Sequence, residues 1–327
     1  MTVNWTEFKN IVQSNERFLL VSHIRPDCDA LGSELGMAGV LESLGKDVII
    51  SNGMATPPNL AFLDPENRIK AIGETIQANE LDDRQVLIVL DTSAWAQIGA
   101  MSDVVKNTSA RKLIIDHHIG EDDLGAELFK DTSAEATGRL VVEAADALGV
   151  ELTPEIATPV FAAVATDTGW YRFGSVGSHT YELAARLVDA GANPDKIYND
   201  LYEQETIGRM RLRGRILSRL ETELEGRLVH TYVRKTDFEE TGAVPQDTED
   251  AINLSLSISG TEGAVILIEQ LDGGFKVSFR SRCQMNCSEV AAEFGGGGHK
   301  AAAGAFVDDT FESAQSRILD RVRAAMR

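Results

Sequence analysis

The sequence has few cysteines, few basic residues for its many acidic ones, and no long apolar run. Its three cysteines among 327 residues are an odd number and do not indicate a disulfide framework, so we expect a reducing, cytoplasmic setting. No apolar run approaches the roughly 18 residues that a membrane span needs. The first fifteen residues also lack the basic start and apolar centre of a secretory signal. These features favour a protein that neither crosses nor binds a membrane.

Basic residues are outnumbered, with 31 Lys and Arg against 51 Asp and Glu and a formal net charge of −20. Most of the acidic excess lies in residues 1–202, which hold 31 acidic and 15 basic residues, whereas residues 203–327 hold 20 and 16. Such a chain repels long polyphosphate backbones at a distance. We therefore expect no long duplex DNA as substrate, while a short oligonucleotide or a mononucleotide held by a few local cations remains compatible.

The first half of the chain alternates strand-like and helix-like segments. Continuous apolar runs such as Val86–Leu90 and Leu113–Ile115 are separated by helical patterns, of which one extends from about Ala30 to Leu44. Apolar runs that are buried on both faces and separated by helices are typical of a parallel sheet. The pattern predicts an α/β domain over residues 1–192.

The pattern changes near Asn193. Arginines and glutamates dominate the following stretch, and we interpret residues 193–226 as a linker helix with a solvated, charged face. Strand patterns, a hairpin signal at residues 271–274, a glycine-rich loop and a final helix over residues 310–326 come next. They predict a smaller α+β domain over residues 227–327.

Chemically active side chains recur where predicted strands end. Any of these aspartates alone is explained as a helix N-cap or turn residue, and a lone histidine as a buried, satisfied one. Their occurrence in four successive segments favours a shared site, because ligands collect at the carboxyl ends of strands in an open parallel sheet. The residues are His23, Asp27, Asp29, Asp91, Asp116, His117, His118 and Asp167.

This donor set predicts a metal centre. Carboxylates with a minority of imidazoles suit Mn²⁺ or Mg²⁺ better than structural zinc. Two cations about 3.5–4 Å apart need roughly this many ligands, with one carboxylate bridging them. Such a pair lowers the pKa of a shared water and neutralises a phosphoryl group, which predicts phosphoester hydrolysis by an activated hydroxide without a covalent protein intermediate.

A second group of candidate residues lies near the C-terminus. Arg280 ends a predicted strand, where its guanidinium is suited to gripping a phosphate. The run Gly295–Gly298 precedes His299, and consecutive glycines let backbone N–H groups approach an anion closely. A glycine run alone would be a flexible turn. With His299 and a predicted helix of small residues directly after it, whose dipole would help, we interpret the segment as an anion site.

These motifs together resemble the DHH phosphoesterase family with its associated C-terminal domain. The resemblance runs over nearly the whole chain and rests on five motifs. They are His23-x-x-x-Asp27-x-Asp29, Leu90-Asp91, Asp116-His117-His118, Thr166-Asp167-Thr168-Gly169 and the glycine run through His299 to Gly304. The compact two-domain length is similar to the bifunctional branch of nanoRNases (oligoribonucleases) and pAp phosphatases. It implies hydrolysis of short oligoribonucleotides to mononucleotides and of 3′-phosphoadenosine-5′-phosphate (pAp) to AMP.

The resemblance also implies a role for each motif residue. Two divalent cations are expected, Mn²⁺ first, with Mg²⁺ and Co²⁺ open. His118 is expected to face the scissile phosphate, and Asp116 to orient its histidine neighbours without binding metal. One cation would be held by His23, Asp27 and Asp91, and the other by Asp29, Asp91, His117 and Asp167. Substrate contacts would come from Arg280, Ser281, Asn286, Gly297, Gly298 and His299.

Alternative functions remain open from the sequence. A cyclic- or linear-dinucleotide phosphodiesterase of the same family would use the same ligands. A pyrophosphatase would share the first domain but should lack the glycine-rich motif around His299. A catalytically silent nucleotide-binding protein would not need complete ligands at every motif, which argues against it. The resemblance leaves a homodimer open.

Overall fold

Parallel pairing of apolar strands builds the N-terminal part of the molecule. The computed structural model describes residues 3–120 and 122–327, and the chain divides into two compact units, residues 1–203 and 204–327. The first unit holds a six-stranded, all-parallel sheet in the order β3-β2-β1-β4-β5-β6. Its strands are β1 (Arg17–Val21), β2 (Asp47–Asn52), β3 (Ile69–Ala71), β4 (Val86–Leu90), β5 (Arg111–Asp116) and β6 (Glu127–Lys130).

Helices cover both faces of this sheet. Alternate residues of β1 show why, since Phe18 and Leu20 belong to one apolar cluster and Leu19 and Val21 to another. A strand segment buried on both faces is expected to be apolar throughout, as residues 18–21 are. The helices are α1 (Trp5–Ser14), α2 (Cys28–Ser43), α3 (Trp95–Ile98), α4 (Ser102–Asn107), α5 (Thr137–Leu148), α6 (Pro154–Asp167), α7 (Ser178–Asp189) and α8 (Pro194–Tyr202).

Helices α2 and α6 approach each other closely because α2 presents glycines. A Cβ atom at Gly32 would lie 2.3 Å from the Pro159 carbonyl oxygen, and one at Gly36 would lie 2.4 Å from a Val160 methyl carbon. Larger residues there would force the helices apart. The contact runs antiparallel, so the first turn of α2 lies beside the last turn of α6.

The second unit has a mixed sheet. Its order is β11-β12-β10-β9-β8-β7, and only β8 and β9 pair in parallel. The strands are β7 (Glu221–Glu223), β8 (Leu228–Val233), β9 (Gly263–Glu269), β10 (Phe275–Ser281), β11 (Gly297–Gly298) and β12 (Ala302–Val307). The helices are α9 (Ile207–Ser218), α10 (Lys235–Thr241), α11 (Ala251–Leu256), α12 (Cys287–Ala292) and α13 (Phe311–Met326).

The predicted fold class is confirmed, namely a parallel α/β N-terminal domain followed by a smaller α+β domain. The stretch predicted as one linker helix over residues 193–226 instead contains α8, α9 and β7. Thr206 begins α9 as its N-cap by accepting a hydrogen bond from the Arg209 backbone. Leu212 and Ile216 of α9 are buried in an apolar cluster of the second unit, and this burial explains why α9 belongs to that unit.

No helix in residues 3–120 or 122–327 is long and apolar enough to cross a membrane. Met1, Thr2 and Glu121 lie outside the described residues.

Candidate metal centre

The candidate ligands gather where the strand order of the parallel sheet reverses direction. Strands β1 and β4 are neighbours there although 68 residues lie between their last residues, Val21 and Leu90. Ligands of open α/β sheets bind in the crevice beyond the carboxyl ends of strands at such a point. His23 follows β1, Asp91 follows β4, and Asp116 is the last residue of β5.

Asp91 lies at the centre of the group. Its side chain is buried, and its backbone has a φ of 61°, which is uncommon for any residue but glycine. Oδ2 lies 3.4 Å from His23 Nε2, and Oδ1 lies 3.6 Å from His117 Nε2. The Thr137 hydroxyl donates to Oδ1 over 2.8 Å. The two oxygens of one carboxylate thus face two different histidines.

The first group of donor atoms comprises His23, Asp27 and Asp91, whose ligand atoms lie within 4.8 Å of one another. His23 Nδ1 lies 3.0 Å from the Ile24 carbonyl oxygen. Since a carbonyl oxygen can only accept a hydrogen bond, Nδ1 is the donor. Its Nε2 lone pair is therefore directed at the group. Asp27 Oδ1 accepts from the Asp29 and Ala30 backbone N–H groups at the start of α2. This N-cap contact fixes the carboxylate through Oδ1, so Oδ2 is not required for capping the helix.

The second group comprises Asp29, His117 and Asp167, again within 4.8 Å. Asp29 is buried and accepts from the backbone N–H groups of Thr137 and Gly138, over 2.7 and 2.9 Å. It therefore caps the N-terminus of α5, although it is far from that helix in the sequence. His117 Nδ1 donates to the Ala134 carbonyl oxygen over 3.1 Å, which directs Nε2 inward.

Asp167 reaches this group from a helix. It is the last residue of α6, not the end of a strand as the sequence pattern predicted, and that part of the prediction is wrong. The close antiparallel contact between α2 and α6 explains its position, because it brings the end of α6 beside Asp29 at the start of α2. Asp167 Oδ2 lies 3.5 Å from His117 Nε2.

The electrostatics of the cluster fit divalent cations. Burial and the neighbouring charges of Asp91 and Asp167 raise the pKa of Asp29 well above its usual range. Burial also raises the pKa of Asp167, partly offset by His117. Burial lowers the pKa of His23, but the hydrogen bond and charge of Asp91 outweigh it and raise that pKa to about 9. Crowded carboxylates with inward-facing imidazole nitrogens form an oxygen-rich donor set of the kind that binds Mn²⁺ or Mg²⁺.

His118 stands apart from both groups. Its side chain is 56% exposed, and its Nδ1 lies 2.8 Å from Asp116 Oδ1, which also accepts from the His118 backbone N–H. This hydrogen bond raises the pKa of His118. Burial alone would raise the pKa of Asp116, but hydrogen bonds from His118, Ser93 and Lys130 lower it to about 2. Asp91, His117 and His118 also form a compact donor group, yet the exposure of His118 suits contact with a ligand in the crevice.

A cavity of about 580 Å³ opens at these residues. His23, Asp27, Asp91 and His118 line it together with Gln97 and neighbouring loop residues. Its volume lies within the range of about 300–1,000 Å³ typical of small-molecule sites. The N-terminal unit therefore provides space for a nucleotide-sized ligand beside the donor groups.

The candidate residues of the second unit meet at one end of its sheet. The Ser281 backbone N–H donates to the Ala301 carbonyl oxygen over 2.9 Å, and that of Cys287 donates to Lys300 over 2.8 Å. Asn286 is the N-cap of α12. The Arg280 guanidinium has the Phe279 carbonyl oxygen as its hydrogen-bond acceptor.

The segment after His299 is a strand, so the predicted helix of small residues is wrong. Residues of β12 pair on both sides with β10 and β11, and this pairing outweighs the helix propensity of its alanines. The dipole of that predicted helix is therefore not available to support an anion here. The glycines have another role, because a Cβ at Gly296 would lie 2.1 Å from the Gly304 carbonyl oxygen. Gly297, Gly298 and His299 are exposed.

Three residues of the first unit were missed by sequence reasoning. Thr137 donates to both Asp29 and Asp91, while Ser93 and Lys130 donate to Asp116. Lys130 had a signal in the sequence, since it is the only Lys or Arg between Lys112 and Arg139. A serine in a loop, as Ser93 is, or a threonine at the start of a helix, as Thr137 is, is too common to signal such contacts.

Comparison with known proteins places this geometry in a family. Residues 17–164 match the DHH family, N-terminal domain, and residues 225–327 match the DHHA1 domain. The bifunctional oligoribonuclease and PAP phosphatase NrnA of Thermus thermophilus is 32% identical over 93% of this chain and 88% of its own length. The cyclic-di-AMP phosphodiesterase PdeA of Listeria monocytogenes is 24% identical over 96% of this chain and 48% of its own.

A solved structure shows the same fold over the whole chain. The exopolyphosphatase-related protein of Bacteroides fragilis superposes with a TM-score of 0.79 and 27% identity, covering 98% of this chain and 95% of that one. The family resemblance predicted from the five motifs is confirmed. This chain belongs to the DHH family and combines an N-terminal DHH domain with a DHHA1 domain.

Proposed function

We propose that this protein hydrolyses short oligoribonucleotides to mononucleotides and pAp to AMP, using two divalent cations. The observation that carries the proposal is Asp91, whose two carboxylate oxygens face His23 on one side and His117 on the other. The relatives named as oligoribonucleases and phosphatases extend over about nine-tenths of the chain and support a hydrolase. The strongly acidic composition supports short substrates over long ones.

Each donor group has a proposed cation. His23, Asp27 and Asp91 would hold one, and Asp29, Asp91, His117 and Asp167 the other, with Mn²⁺ as the first choice and Mg²⁺ or Co²⁺ as alternatives. Such cations neutralise phosphoryl charge and make a water more acidic. The protein's part is to hold the donors in place through the Ile24 and Ala134 carbonyl groups and the start of α5.

His118 has a different proposed role from the donors. Its exposed imidazole would donate a hydrogen bond from Nε2 to the phosphate at the cavity, where charge develops during hydrolysis. Asp116 accepts the Nδ1 hydrogen bond and thereby fixes the ring orientation.

The second unit has proposed substrate contacts. Arg280 would bind a phosphate, and the exposed Gly297 and Gly298 together with the His299 side chain would contact an anion or a base, since the His299 backbone N–H already donates to the Ala302 carbonyl oxygen. Ser281 is nearly buried and bonded to Cys283, and Asn286 caps α12. We therefore expect smaller contributions from these two.

The test is a substrate panel with purified protein and Mn²⁺. We expect AMP from pAp and mononucleotides from RNA dimers to pentamers, with slow or no cleavage of a 24-mer DNA and of pyrophosphate. Chelation by EDTA should abolish turnover and added Mn²⁺ should restore it. Release of neither mononucleotide nor phosphate from pAp or any short RNA would refute the proposal.

A dinucleotide phosphodiesterase is the second candidate. The similarity to PdeA of Listeria monocytogenes, which covers 96% of this chain, favours keeping it. Cyclic di-AMP and its linear dinucleotide belong in the same panel. Cleavage of cyclic di-AMP at a higher kcat/KM than pAp and RNA dimers would favour this alternative.

A further inference from the structure

A buried lysine lies behind the catalytic histidine proposed above. Lys130 is the last residue of β6, where it pairs in register with Asp116 at the end of β5. Its side chain is only 8% exposed. Nζ lies 3.1 Å from Asp116 Oδ2, 2.7 Å from Ser93 Oγ and 2.7 Å from the Gly120 carbonyl oxygen. An ammonium this buried needs both a counter-charge and hydrogen-bond acceptors, and it has both here.

Asp116 divides its two oxygens between the lysine side and the histidine side. Oδ2 accepts from the Ser93 hydroxyl over 2.7 Å and from Lys130. Oδ1 accepts from both the backbone N–H and Nδ1 of His118, over 3.1 and 2.8 Å. The carboxylate is fully buried. It cannot rotate to offer His118 another geometry without losing the hydrogen bonds on Oδ2.

Lys130 also holds the backbone beyond the histidine. The Gly120 carbonyl oxygen accepts from Lys130 and lies 2.8 Å from the Ser93 hydroxyl, and Gly120 lines the same cavity as His118. The ammonium therefore contacts the segment of residues 116–120 at both of its ends. His118 lies in the middle of that segment, with its side chain otherwise exposed.

We propose that Lys130 is a positioning residue for His118, which it orients by holding Asp116 and the Gly120 carbonyl group in fixed places. The proposal rests on the proposed function for the role of His118, but the contact geometry is independent of the substrate. Lys130 contacts Asp116, Ser93 and Gly120, and none of these three residues belongs to the two proposed metal groups. Its loss should therefore affect the chemical step and leave cation binding intact.

The direct test is a double-mutant cycle between Lys130 and His118. Lys130→Met keeps the length of the side chain and removes its charge and donors, and it should lower kcat for pAp by about 10–100-fold. KM and Mn²⁺ affinity should stay within about threefold. In the His118→Ala background, Lys130→Met should cause less than about a twofold further loss, because the group it positions is gone. Lys130→Arg should recover part of the activity, and Lys196→Met, an exposed lysine on α8, should match wild type.

An additional measurement does not depend on activity. The NMR spectrum of metal-free or Mg²⁺-loaded wild type should show the Nδ1–H proton of His118 among the imidazole signals. The signal is assigned by its loss in His118→Ala. It should broaden or vanish in Lys130→Met. Should that variant fold poorly, Ser93→Ala removes the other Oδ2 donor and should weaken the same signal, with a smaller fall in kcat.

Two results would overturn the proposal. One is an equal fold-loss from Lys130→Met in the wild-type and His118→Ala backgrounds. The other is an unchanged Nδ1–H signal in a folded Lys130→Met protein. A wild-type protein that turns over none of the panel would refute the proposed function instead, and the NMR comparison would still decide the role of Lys130.

Discussion

The two units hold their candidate residues in opposite ways. In the N-terminal unit, His117 Nδ1 donates to the Ala134 carbonyl oxygen, which directs Nε2 at the cluster, and the Asp29 carboxylate is held by two backbone N–H groups at the start of α5. In the C-terminal unit, Gly298 and His299 are exposed on an edge strand and a turn. Metal ligation tolerates little displacement, whereas recognition of substrates of several lengths benefits from adaptable contacts. The difference supports our proposal that chemistry belongs to the first unit and recognition to the second.

The largest expected effect comes from breaking the centre of the first unit. Asp91→Ala should lower turnover of pAp and RNA dimers by more than about 100-fold, because it removes the carboxylate that we propose to bind both cations. The metal-free fold should persist, since the change also relieves repulsion with Asp29. Steady-state kinetics and circular dichroism measure the two effects. Asp103→Asn, at an exposed carboxylate on α4, is the matched control.

Wild-type activity in Asp91→Ala would remove the residue from the site. Loss of the fold in that variant would instead show that Asp91 supports the structure before it supports the chemistry.

A smaller effect is expected from the recognition side. Arg280→Ala should raise KM for pAp by about tenfold, the loss of one charge-assisted phosphate contact, with little change in Mn²⁺ affinity. Lys276→Ala is the matched control, because Lys276 lies four residues earlier on the same strand and projects from the same face. Equal KM values for wild type and Arg280→Ala would contradict the assignment.

Cation binding should separate the stabilities of the two units. Mn²⁺ should bind the folded N-terminal unit because it relieves the repulsion that raises the pKa of Asp29 and Asp167. At about 100 times its Kd, a ligand that binds only the folded state raises the free energy of unfolding by about 2.7 kcal/mol. All three tryptophans, Trp5, Trp95 and Trp170, lie in that unit, so their fluorescence reports its unfolding. The same Mn²⁺-induced rise in Tm in Asp91→Ala would contradict the account.

The smallest effect concerns acid stability of the second unit. Burial alone would raise the pKa of Asp237, but hydrogen bonds from Arg219, the Arg234 backbone and Arg215 lower it to about 2. A depressed pKa contributes stability that is present above about pH 4 and is lost as pH falls towards 2. Asp237→Asn should therefore show a shallower loss of stability between pH 4 and 2, measured by calorimetry. A pH profile parallel to that of wild type would exclude this role.

Sequence reasoning pointed to the candidate metal centre because most of its residues follow apolar strands. The carboxyl ends of neighbouring parallel strands share one edge, so His23 and Asp91 had to lie close once β1 and β4 were recognised as parallel. Asp167 was among the predicted candidates but was grouped with residues at strand ends, whereas it is the last residue of α6. Its position depends on the glycines of α2, whose contact with α6 no local pattern reveals.

The remaining differences have the same physical origin. Lys130 reaches Asp116 only through the register of β5 and β6, and register is decided by pairing between distant segments. The alanines of β12 have high helix propensity, yet strand pairing with β10 overrides it. Local sequence therefore predicts which residues are chemically competent, while long-range packing decides what holds them.

The central claim is that two cations share the carboxylate of Asp91. Electron paramagnetic resonance of a Mn²⁺ titration tests it most directly, because two ions about 4 Å apart give an exchange-coupled spectrum. We predict two Mn²⁺ per chain with a coupled signal in wild type, and no coupled signal in Asp91→Ala. A single uncoupled Mn²⁺ per wild-type chain at saturation would contradict the account.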